Sequence, residues 1–353
     1  MKQGWEIKKL GEVCDIINGR NQKKVENPNG KYPIYGSGGI MGYADDFLCR
    51  AGTTIIGRKG SINKPLYVDA DFWNVDTAFG IQPKCCVDRF IYYLCKSIDF
   101  TLYDKGVTIP SLVKSDLLQI PIPVPERAEQ ERIVGELDCL SGIIAAKRAQ
   151  LRELDTLAQS IFYTMFGDPI TNDKGWSVKQ LKDVSTLING RAYKQEELLS
   201  EGKYKVIRVG NFFTNGDYYY SDLELDDDKY CDIGDLLFAW AASFGAFIWN
   251  GGKVIYHYHI WKVLFDERKL NIQYYRYILN VMTNDFMKDV HGIGMFHLTK
   301  AGMEQYKLPI PPLSLQNEFA EKIENIERQK ELITKSIIET EDLFNSRMSY
   351  YFD

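Results

Sequence analysis

The sequence lacks any long apolar run. No stretch of its 353 residues reaches the roughly 18 uncharged apolar residues that a membrane-spanning helix needs. The first residues, MKQGWEIKK, also lack the apolar core of a secretion signal. Hydrophobic residues make up 45% of the chain and charged residues 26%, which is a globular composition. We therefore expect a cytoplasmic protein with no membrane partner, long enough for two domains.

Metal-binding and disulfide spacings are missing as well. Seven cysteines are scattered along the chain without a CxxC pair, so we expect reduced thiols with structural roles. The four histidines, His257, His259, His291 and His297, all lie in the second half of the chain. A zinc site would need further convergent ligands, so we expect no bound metal.

Catalytic motifs are also absent. The segment from Gly52 to Gly57 is followed by Arg58, whereas a phosphate-binding loop requires lysine and then a hydroxyl residue there. The acidic run from Asp222 to Asp235 has no upstream Pro-Asp partner of the kind found in nuclease metal sites. Neither an Asn-Pro-Pro-Tyr tetrapeptide nor a nucleophile elbow occurs. The sequence predicts no catalytic residues and no cofactor in this chain.

The chain lacks an excess of positive charge, because it has 43 Lys and Arg and 48 Asp and Glu, a net charge of −5. This balance argues against an ordinary DNA-binding protein, which usually has a basic face. The acidity is unevenly distributed, however. Residues 1–125 carry a net charge of +3 and residues 167–312 carry −2, whereas the short segments 126–166 and 313–353 together contribute −6. Most of the acidity therefore lies outside the two candidate domains.

The sequence repeats itself. GWEIKKLGEVCDIINGR at 4–20 aligns without gaps on GWSVKQLKDVSTLINGR at 175–191, with nine identities in 17 positions. A second match follows at a different offset, with the identities Gly106/Gly292, Leu112/Leu298, Lys114/Lys300, Pro123/Pro309, Pro125/Pro311 and Gln130/Gln316. Similar ends that enclose unrelated middles predict one scaffold carrying two different recognition inserts.

Each repeat closes with a proline-rich segment, IPIPVP at 120–125 and LPIPPL at 308–313, which forces extended backbone. Apolar residues then recur at alternating spacings of three and four, which is typical of a heptad seam. The seam residues are Ile133, Leu137, Leu140, Ile144, Leu151 and Leu154 in the first helix and Phe319, Ile323, Ile326, Ile333, Ile337 and Phe344 in the second.

The two seams are interrupted at complementary positions. Lys147 interrupts the first where Ile333 continues the second, and Lys330 interrupts the second where Ile144 continues the first. A polar seam residue fixes the register at some cost in stability. We expect the two helices to form an antiparallel coiled coil; the alternative is that each packs on its own domain.

The remaining segments predict a mixed α+β fold in each repeat. Short apolar runs between glycine-bearing turns indicate strands at 53–57, 77–82, 205–209, 235–240 and 254–265. Amphipathic patterns at about 88–100 and 271–288 indicate one helix per repeat. The predicted segments are domain 1 at 1–125, a spacer helix at 126–166, domain 2 at 167–312 and a second spacer helix at 313–353.

Several loops mix cations with hydrogen-bonding side chains. Arg and Lys pair with guanine edges and phosphates, and Asn can read adenine, so such clusters suit readout of a DNA groove. The alternative is that they are ordinary solvated loops. The candidate DNA-binding residues are Arg20, Lys23, Lys24, Arg58, Lys59, Ser61, Asn63 and Lys64 in the first repeat and Arg191, Lys194, Arg208 and Asn211 in the second.

The duplicated GW…L…V…INGR opening and the IPIPVP…EQERIV segment at 120–134 resemble the specificity subunits of type I restriction-modification systems. The resemblance covers essentially the whole chain. It implies a non-catalytic subunit with two target-recognition domains, each binding one half of a bipartite target in double-stranded DNA. Two paired helices would set the gap between the half-sites.

The same resemblance implies partners. Two modification subunits would dock on this chain and methylate adenine with S-adenosylmethionine, and two restriction subunits would cut DNA with ATP and magnesium. Those cofactors would be held by the partners, whose phosphate contacts would also explain an acidic specificity subunit. Two other functions stay open from the residues alone, namely a coiled-coil adaptor that binds no DNA and an independent methyltransferase or nuclease.

Overall fold

A computed structural model describes residues 4–213, 216–241, 243–287 and 298–352. The chain divides into two compact units. Unit 1 comprises Met1–Ala149 and Ile333–Asp353, and unit 2 comprises Gln150–Leu332. Each unit therefore combines one sequence repeat with a part of each long helix.

Unit 1 is built on small sheets, which are antiparallel except for one parallel pair of strands. Its strands are β1 (Glu6–Lys9), β2 (Cys14–Asn18), β3 (Tyr32–Gly36), β4 (Gly39–Ala44), β5 (Thr53–Gly57), β6 (Leu66–Val68), β7 (Trp73–Asn74), β8 (Ala78–Pro83) and β9 (Pro121–Val124). Its helices are α1 (Leu10–Val13), α2 (Asp88–Ser97), α3 (Lys114–Leu117) and the first part of α4 (Arg127–Phe166). The sheet orders are β1-β9, β2-β8-β5-β6 and β4-β3-β7. Helix α2 contributes Phe90, Ile91 and Leu94 to the core.

Unit 2 is built in the same way. Its strands are β10 (Ser177–Gln180), β11 (Ser185–Asn189), β12 (Tyr204–Ile207), β13 (Tyr219–Ser221), β14 (Tyr230–Cys231), β15 (Leu236–Ala241), β16 (Ser243–Ile248), β17 (Val254–Tyr256), β18 (Ile260–Phe265) and β19 (Lys307–Ile310). Its helices are α5 (Leu181–Val184), α6 (Val209–Phe213), α7 (Ile272–Val281), α8 (Thr283–Phe286), α9 (Lys300–Gln305) and the first part of α10 (Leu313–Phe352). The sheet orders are β10-β19, β11-β18-β15-β16 and β13-β12-β17-β14.

The strand order of unit 1 recurs in unit 2, even where the two sequences are unrelated. In each unit the first and last strands pair antiparallel. Each unit also has one parallel pair, β3 with β7 in the sheet β4-β3-β7 and β12 with β17 in the sheet β13-β12-β17-β14. Unit 2 adds β14 beside β17. The prediction of two duplicated mixed α/β modules is therefore confirmed, and the duplication extends through the divergent inserts.

Two predicted elements of the second repeat are each divided in the structure. The single strand predicted at 254–265 consists of β17 and β18, because the chain turns where the Ile260 N–H donates to the His257 carbonyl (3.0 Å) and passes to another sheet. The helix predicted at 271–288 consists of α7 and α8, which meet at Met282, and residue 288 lies outside the described residues.

Two other predicted elements are shorter than expected. The strand predicted at 205–209 ends at Ile207, because the Asn211 side chain accepts the Arg208 N–H (2.8 Å) and a short helix begins. The helix predicted at 88–100 ends at Ser97, after which the Asp99 side chain accepts the N–H of Thr101 and starts a 3₁₀ turn. In both cases a short polar side chain competes with the regular backbone pattern.

The long helices α4 and α10 each have 40 residues, and in both units their segments run antiparallel. In unit 1, Arg132 contacts Tyr351 while Lys147 contacts Ser336. In unit 2, Lys330 Nζ lies 2.8 Å from Asp155, and the Phe162 and Phe319 rings are 5.7 Å apart. Among the described residues, no helix has the sustained apolar stretch that a bilayer crossing requires.

All the predicted seam residues are buried or half-buried. The buried ones are Ile133, Leu137, Leu154, Phe319, Ile323, Ile326, Ile337 and Phe344, and the half-buried ones are Leu140, Ile144, Leu151 and Ile333. The two seam lysines have polar partners: Lys147 Nζ donates to Thr340 Oγ1 (3.2 Å), and Lys330 Nζ is paired with Asp155. Each lysine therefore has its hydrogen-bond or ion-pair partner within its own unit.

A buried glutamine joins each long helix to the rest of its unit. Gln130 Oε1 accepts the Val87 N–H at the start of α2 (2.8 Å), and its Nε2 donates to the Pro125 carbonyl (2.9 Å). In unit 2, Gln316 bonds in the same way to the Asn271 N–H and the Pro311 carbonyl, both at 2.8 Å. Helix starts and proline-rich segments leave backbone N–H and carbonyl groups without local hydrogen-bond partners. The glutamine side chain supplies the missing partners.

We predict that Gln130→Leu destabilises the protein by about 1–3 kcal/mol, because it leaves two backbone groups without partners. Gln150→Leu, at an exposed position of the same helix, is expected to change the free energy of unfolding by less than about 0.5 kcal/mol. Urea unfolding of both variants tests this difference. Equal stabilities of the two variants would contradict the assigned role of Gln130.

Candidate nucleic-acid interface

Three predicted DNA-binding residues of the first repeat lie at one end of the β2-β8-β5-β6 sheet. Strands β2 and β5 both run antiparallel to β8, so both finish beside the start of β8. The Arg20 N–H donates to the Asn74 carbonyl (2.8 Å), and the N–H groups of Arg58 and Lys59 donate to the Thr77 carbonyl (2.8 and 3.2 Å). We call Arg20, Arg58 and Lys59 the cationic edge.

The repeated INGR motif is explained by a close backbone approach at this end of the sheet. A Cβ on Gly19 would lie 1.8 Å from the Val75 carbonyl oxygen, and a Cβ on Gly190 would lie 2.3 Å from the Tyr256 carbonyl oxygen. Only glycine fits at either point. The motif therefore positions the arginine that follows, Arg20 or Arg191.

The predicted DNA-binding cations of unit 1 are available to a ligand. Within the described part of the chain, none of them has a carboxylate at ion-pair distance. This set consists of Arg20, Lys23, Lys24, Arg58, Lys59 and Lys64. All are exposed except Arg58, which is half-buried, with its guanidinium 5.7 Å from the centre of the Phe79 ring. Unpaired cations on ordered loops suit phosphate contacts.

Two polar candidates in the β5–β6 loop differ in their surroundings. Asn63 Nδ2 donates to Asp99 Oδ1 (2.7 Å), and its Oδ1 accepts the Phe100 N–H (2.7 Å). These bonds use both ends of the amide and tie the loop to the end of α2. Ser61 is exposed, and its hydroxyl has no hydrogen-bond partner among the described residues.

Arg191, the counterpart of Arg20, has a different environment. Its Nη1 and Nη2 donate to the two carboxylate oxygens of Glu197 (2.8 and 2.7 Å). The guanidinium in turn lowers the pKa of Glu197 to about 2. Lys194 is exposed, with its Nζ 3.9 Å from Glu196. In unit 2 the arginine of the INGR motif therefore forms a bidentate ion pair with Glu197.

Arg208 lines a cavity of about 360 Å³ in unit 2, together with Asn211, His257 and His259. Asn211 Nδ2 donates to the Gly216 carbonyl (2.7 Å), so its side chain shapes the loop. The Arg208 guanidinium lies 5.2 Å from the centre of the Tyr219 ring. Among the described residues it has no carboxylate partner, so it is the cation of this site that can bind a ligand.

His257 stays neutral at physiological pH. Burial, followed by the nearby His259 and Arg208, lowers the pKa of His257 to about 4. The ring lies 4.8 Å from that of His259, measured between centroids. A neutral imidazole both donates and accepts hydrogen bonds, as a base edge does. The cavity therefore combines the Arg208 cation with the neutral ring of His257 and the amide of Asn211, and Asp217 also lines it.

Part of the acidic run at 222–235 is neutralised locally. Lys203 pairs with Glu224, Lys229 Nζ lies 2.8 Å from Asp228, and Lys262 Nζ lies 2.6 Å from Asp235. In the described ranges no group of three His, Cys, Asp or Glu side chains converges as a metal site would require. His291 and His297 lie outside the described residues.

Sequence reasoning missed two features of this interface. The 105–112 loop belongs to the repeated scaffold in sequence, yet it joins the cationic edge: the Leu112 N–H donates to the Arg58 carbonyl, and the Gly60 N–H to the Pro110 carbonyl, both at 2.9 Å. The cavity beside Arg208 has no sequence signal beyond His257 and His259, whose spacing points first to a metal site. The identities between the two repeats at Gly106 and Leu112 were the sequence signal that could have indicated a role for this loop.

A family model described as the type I restriction modification DNA specificity domain matches residues 2–155 and 173–342. The chain is 22% identical to a Haemophilus influenzae protein named as a type I restriction enzyme specificity subunit, over 98% of this chain and 94% of that one. It is 21% identical to the Methanocaldococcus jannaschii type I restriction enzyme MjaVIII specificity subunit, over 94% and 88% of the two chains.

Solved structures agree in fold. The S subunit of a type I restriction-modification system from M. genitalium superposes with a TM-score of 0.63 at 16% identity, covering 100% of this chain and 98% of that one. A chain from a study of complex assembly in the type I system gives 0.58 at 17% identity, with 99% and 97% coverage. At these identities the likeness establishes the fold.

The depressed pKa of His257 predicts acid sensitivity. Between pH 6.5 and about 4 the unfolded chain binds a proton at this ring that the folded chain does not, so stability falls as the pH falls. We expect His257→Asn to remove about 1–2 kcal/mol of this decrease, a figure reduced for the partial exposure of the ring. Urea unfolding of both proteins at pH 7 and pH 4.5 tests it. Parallel losses in the two proteins would contradict the prediction.

Proposed function

The chain belongs to the type I restriction-modification DNA specificity family, and from this premise we propose that it reads a bipartite target in double-stranded DNA, one half-site per unit. Its contribution in this family is recognition rather than catalysis. The loops at the sheet ends make the contacts, the cationic edge in unit 1 and the Arg208 cavity in unit 2. Bases are read in the groove, and unpaired cations bind the flanking phosphates.

One observation carries the proposal. A shared backbone frame holds two inserts of unrelated sequence, and in unit 1 that frame presents the unpaired cations of the cationic edge at one sheet end. A purely protein-binding adaptor would not require cations without carboxylate partners there. Duplex DNA carries one negative charge per about 1.7 Å and is the ligand that such an edge suits.

The long helices have two roles in this proposal. At about 1.5 Å per residue, a 40-residue helix is about 60 Å long, enough to span more than one turn of duplex and so set the gap between half-sites. The helices also dock two modification subunits, and two restriction subunits complete the assembly. S-adenosylmethionine, ATP and magnesium are bound by those partners, which also supply phosphate contacts that the acidic helices cannot.

The DNA-binding role is tested by the salt dependence of duplex binding. We predict that Arg58→Ala/Lys59→Ala weakens binding to any duplex and reduces the slope of log K against log salt by about 1 for each phosphate that the variant no longer binds. The measurement is fluorescence anisotropy with the chain co-expressed with its modification subunit, between about 50 and 200 mM salt.

A matched control removes two cations that each have a carboxylate partner, one on β1 and one after the end of β8. Lys8 is paired with Glu6, and Lys84, which follows the end of β8, is paired with Asp15. Lys8→Ala/Lys84→Ala has the same charge change, and we expect it to keep the wild-type slope. Identical slopes for both double variants would exclude the cationic edge as a phosphate-binding site, and salt-independent binding of the wild type would favour the adaptor.

A further inference from the structure

The loop between the 3₁₀ turn at Phe100–Tyr103 and α3 exposes apolar side chains at its tip. Val107 is fully exposed, and Ile109 is 60% exposed. Thr108 and Pro110, beside them, are also exposed. Solvent-exposed apolar side chains on a monomer indicate a contact surface when they are grouped rather than scattered. We call Val107 and Ile109 the apolar tip.

The backbone of this loop is ordered by hydrogen bonds, so the tip is held outward. Asp104 Oδ1 accepts the N–H groups of Gly106 and Ser111, both at 2.7 Å, and so closes the base of the loop. These two bonds lower the pKa of the Asp104 carboxyl. A Cβ on Gly106 would lie 1.9 Å from the Ile109 carbonyl oxygen, so the narrow base of the loop requires glycine there.

The apolar tip is attached directly to the cationic edge. Ser111 forms a β-bridge with Lys59, and the Leu112 N–H donates to the Arg58 carbonyl (2.9 Å). Lys105, at the start of the loop, is exposed, with its Nζ 3.7 Å from Asp116. Exposed apolar side chains beside unpaired cations suit a partner that offers both anionic groups and apolar edges.

A DNA groove is such a partner. Phosphates line its rims, and its floor carries the methyl groups of thymine and the faces of the bases, to which proteins apply apolar side chains. Val107 and Ile109 cannot bind phosphate, so any contribution that they make comes from the floor of the groove. An apolar protein surface would match the tip but leave Arg58 and Lys59 without anions.

We propose that the apolar tip enters the DNA groove between phosphates bound by the cationic edge and contributes to sequence discrimination in the half-site read by unit 1. This inference rests on the proposed DNA-reading function and adds to it a determinant that carries no charge. At the 186-residue offset the second repeat has Ile293 and Met295, also apolar, in place of Val107 and Ile109. Those two residues lie outside the described residues, and the proposal is confined to unit 1.

The test uses Val107→Ser/Ile109→Ser in the full chain, co-expressed with its modification subunit. Binding is measured on a duplex carrying the site that the wild-type assembly methylates and on a scrambled duplex of equal length. We expect affinity for the target to fall about tenfold or more, and affinity for the scrambled duplex to change less than about twofold. The salt slope on both duplexes stays at the wild-type value, because no charge is removed.

Two further variants separate recognition from folding. Val107→Leu/Ile109→Leu keeps the tip apolar and should retain most of the discrimination. Ile7→Ser changes a residue on β1 that is 51% exposed, and it should bind both duplexes as the wild type does. Since all these side chains are exposed, the melting temperatures of the variants are expected to agree.

Three results would overturn the inference about the tip. One is unchanged discrimination by Val107→Ser/Ile109→Ser, and another is an equal loss of affinity on both duplexes. The third is loss of the modification subunit from the purified complex with DNA binding by the remaining chain intact, which would make the tip a protein-docking site. Failure of the wild type to prefer its methylated site would instead refute the proposed function itself.

Discussion

The hydrogen bonds of Gln130 and Gln316 are the constraint on which both units depend. Each side chain bonds at once to the proline-rich segment and to the start of an amphipathic helix. Because both glutamines are buried, no water can replace these bonds at small cost. Sheet, amphipathic helix and long helix are therefore held as one frame, and the loops at the sheet ends can differ without displacing it.

Those loops differ strongly between the units. Arg20 and Arg191 occupy the same position of the repeated motif, yet Arg20 has no carboxylate partner in the described chain, whereas Arg191 is bound by Glu197. Unit 1 presents unpaired cations beside apolar side chains, and unit 2 presents Arg208 beside the neutral ring of His257. One frame thus carries two chemically distinct surfaces, which is what a reader of two different half-sites needs.

The sequence predicts the frame well and the interface poorly. Duplication, proline-rich ends and the two helices are encoded in local patterns, so they can be recognised without coordinates. The pair between Arg191 and Glu197 and the outward position of Val107 depend on loop conformations that no residue pattern specifies. The choice of bases in each half-site depends on the same conformations, and the individual DNA contacts proposed from the sequence therefore remain predictions.

In the proposed function, two independent readers are held at a fixed separation by the long helices. The most direct measurement is sequencing of the methylated sites in DNA modified by the assembled complex, for the wild type and for a chain with four residues inserted after Leu151. We expect a bipartite motif for the wild type; the insertion is expected to keep both half-sites and lengthen the gap, or to abolish methylation by breaking the seam. Full methylation at the original spacing would show that the helices do not set the gap.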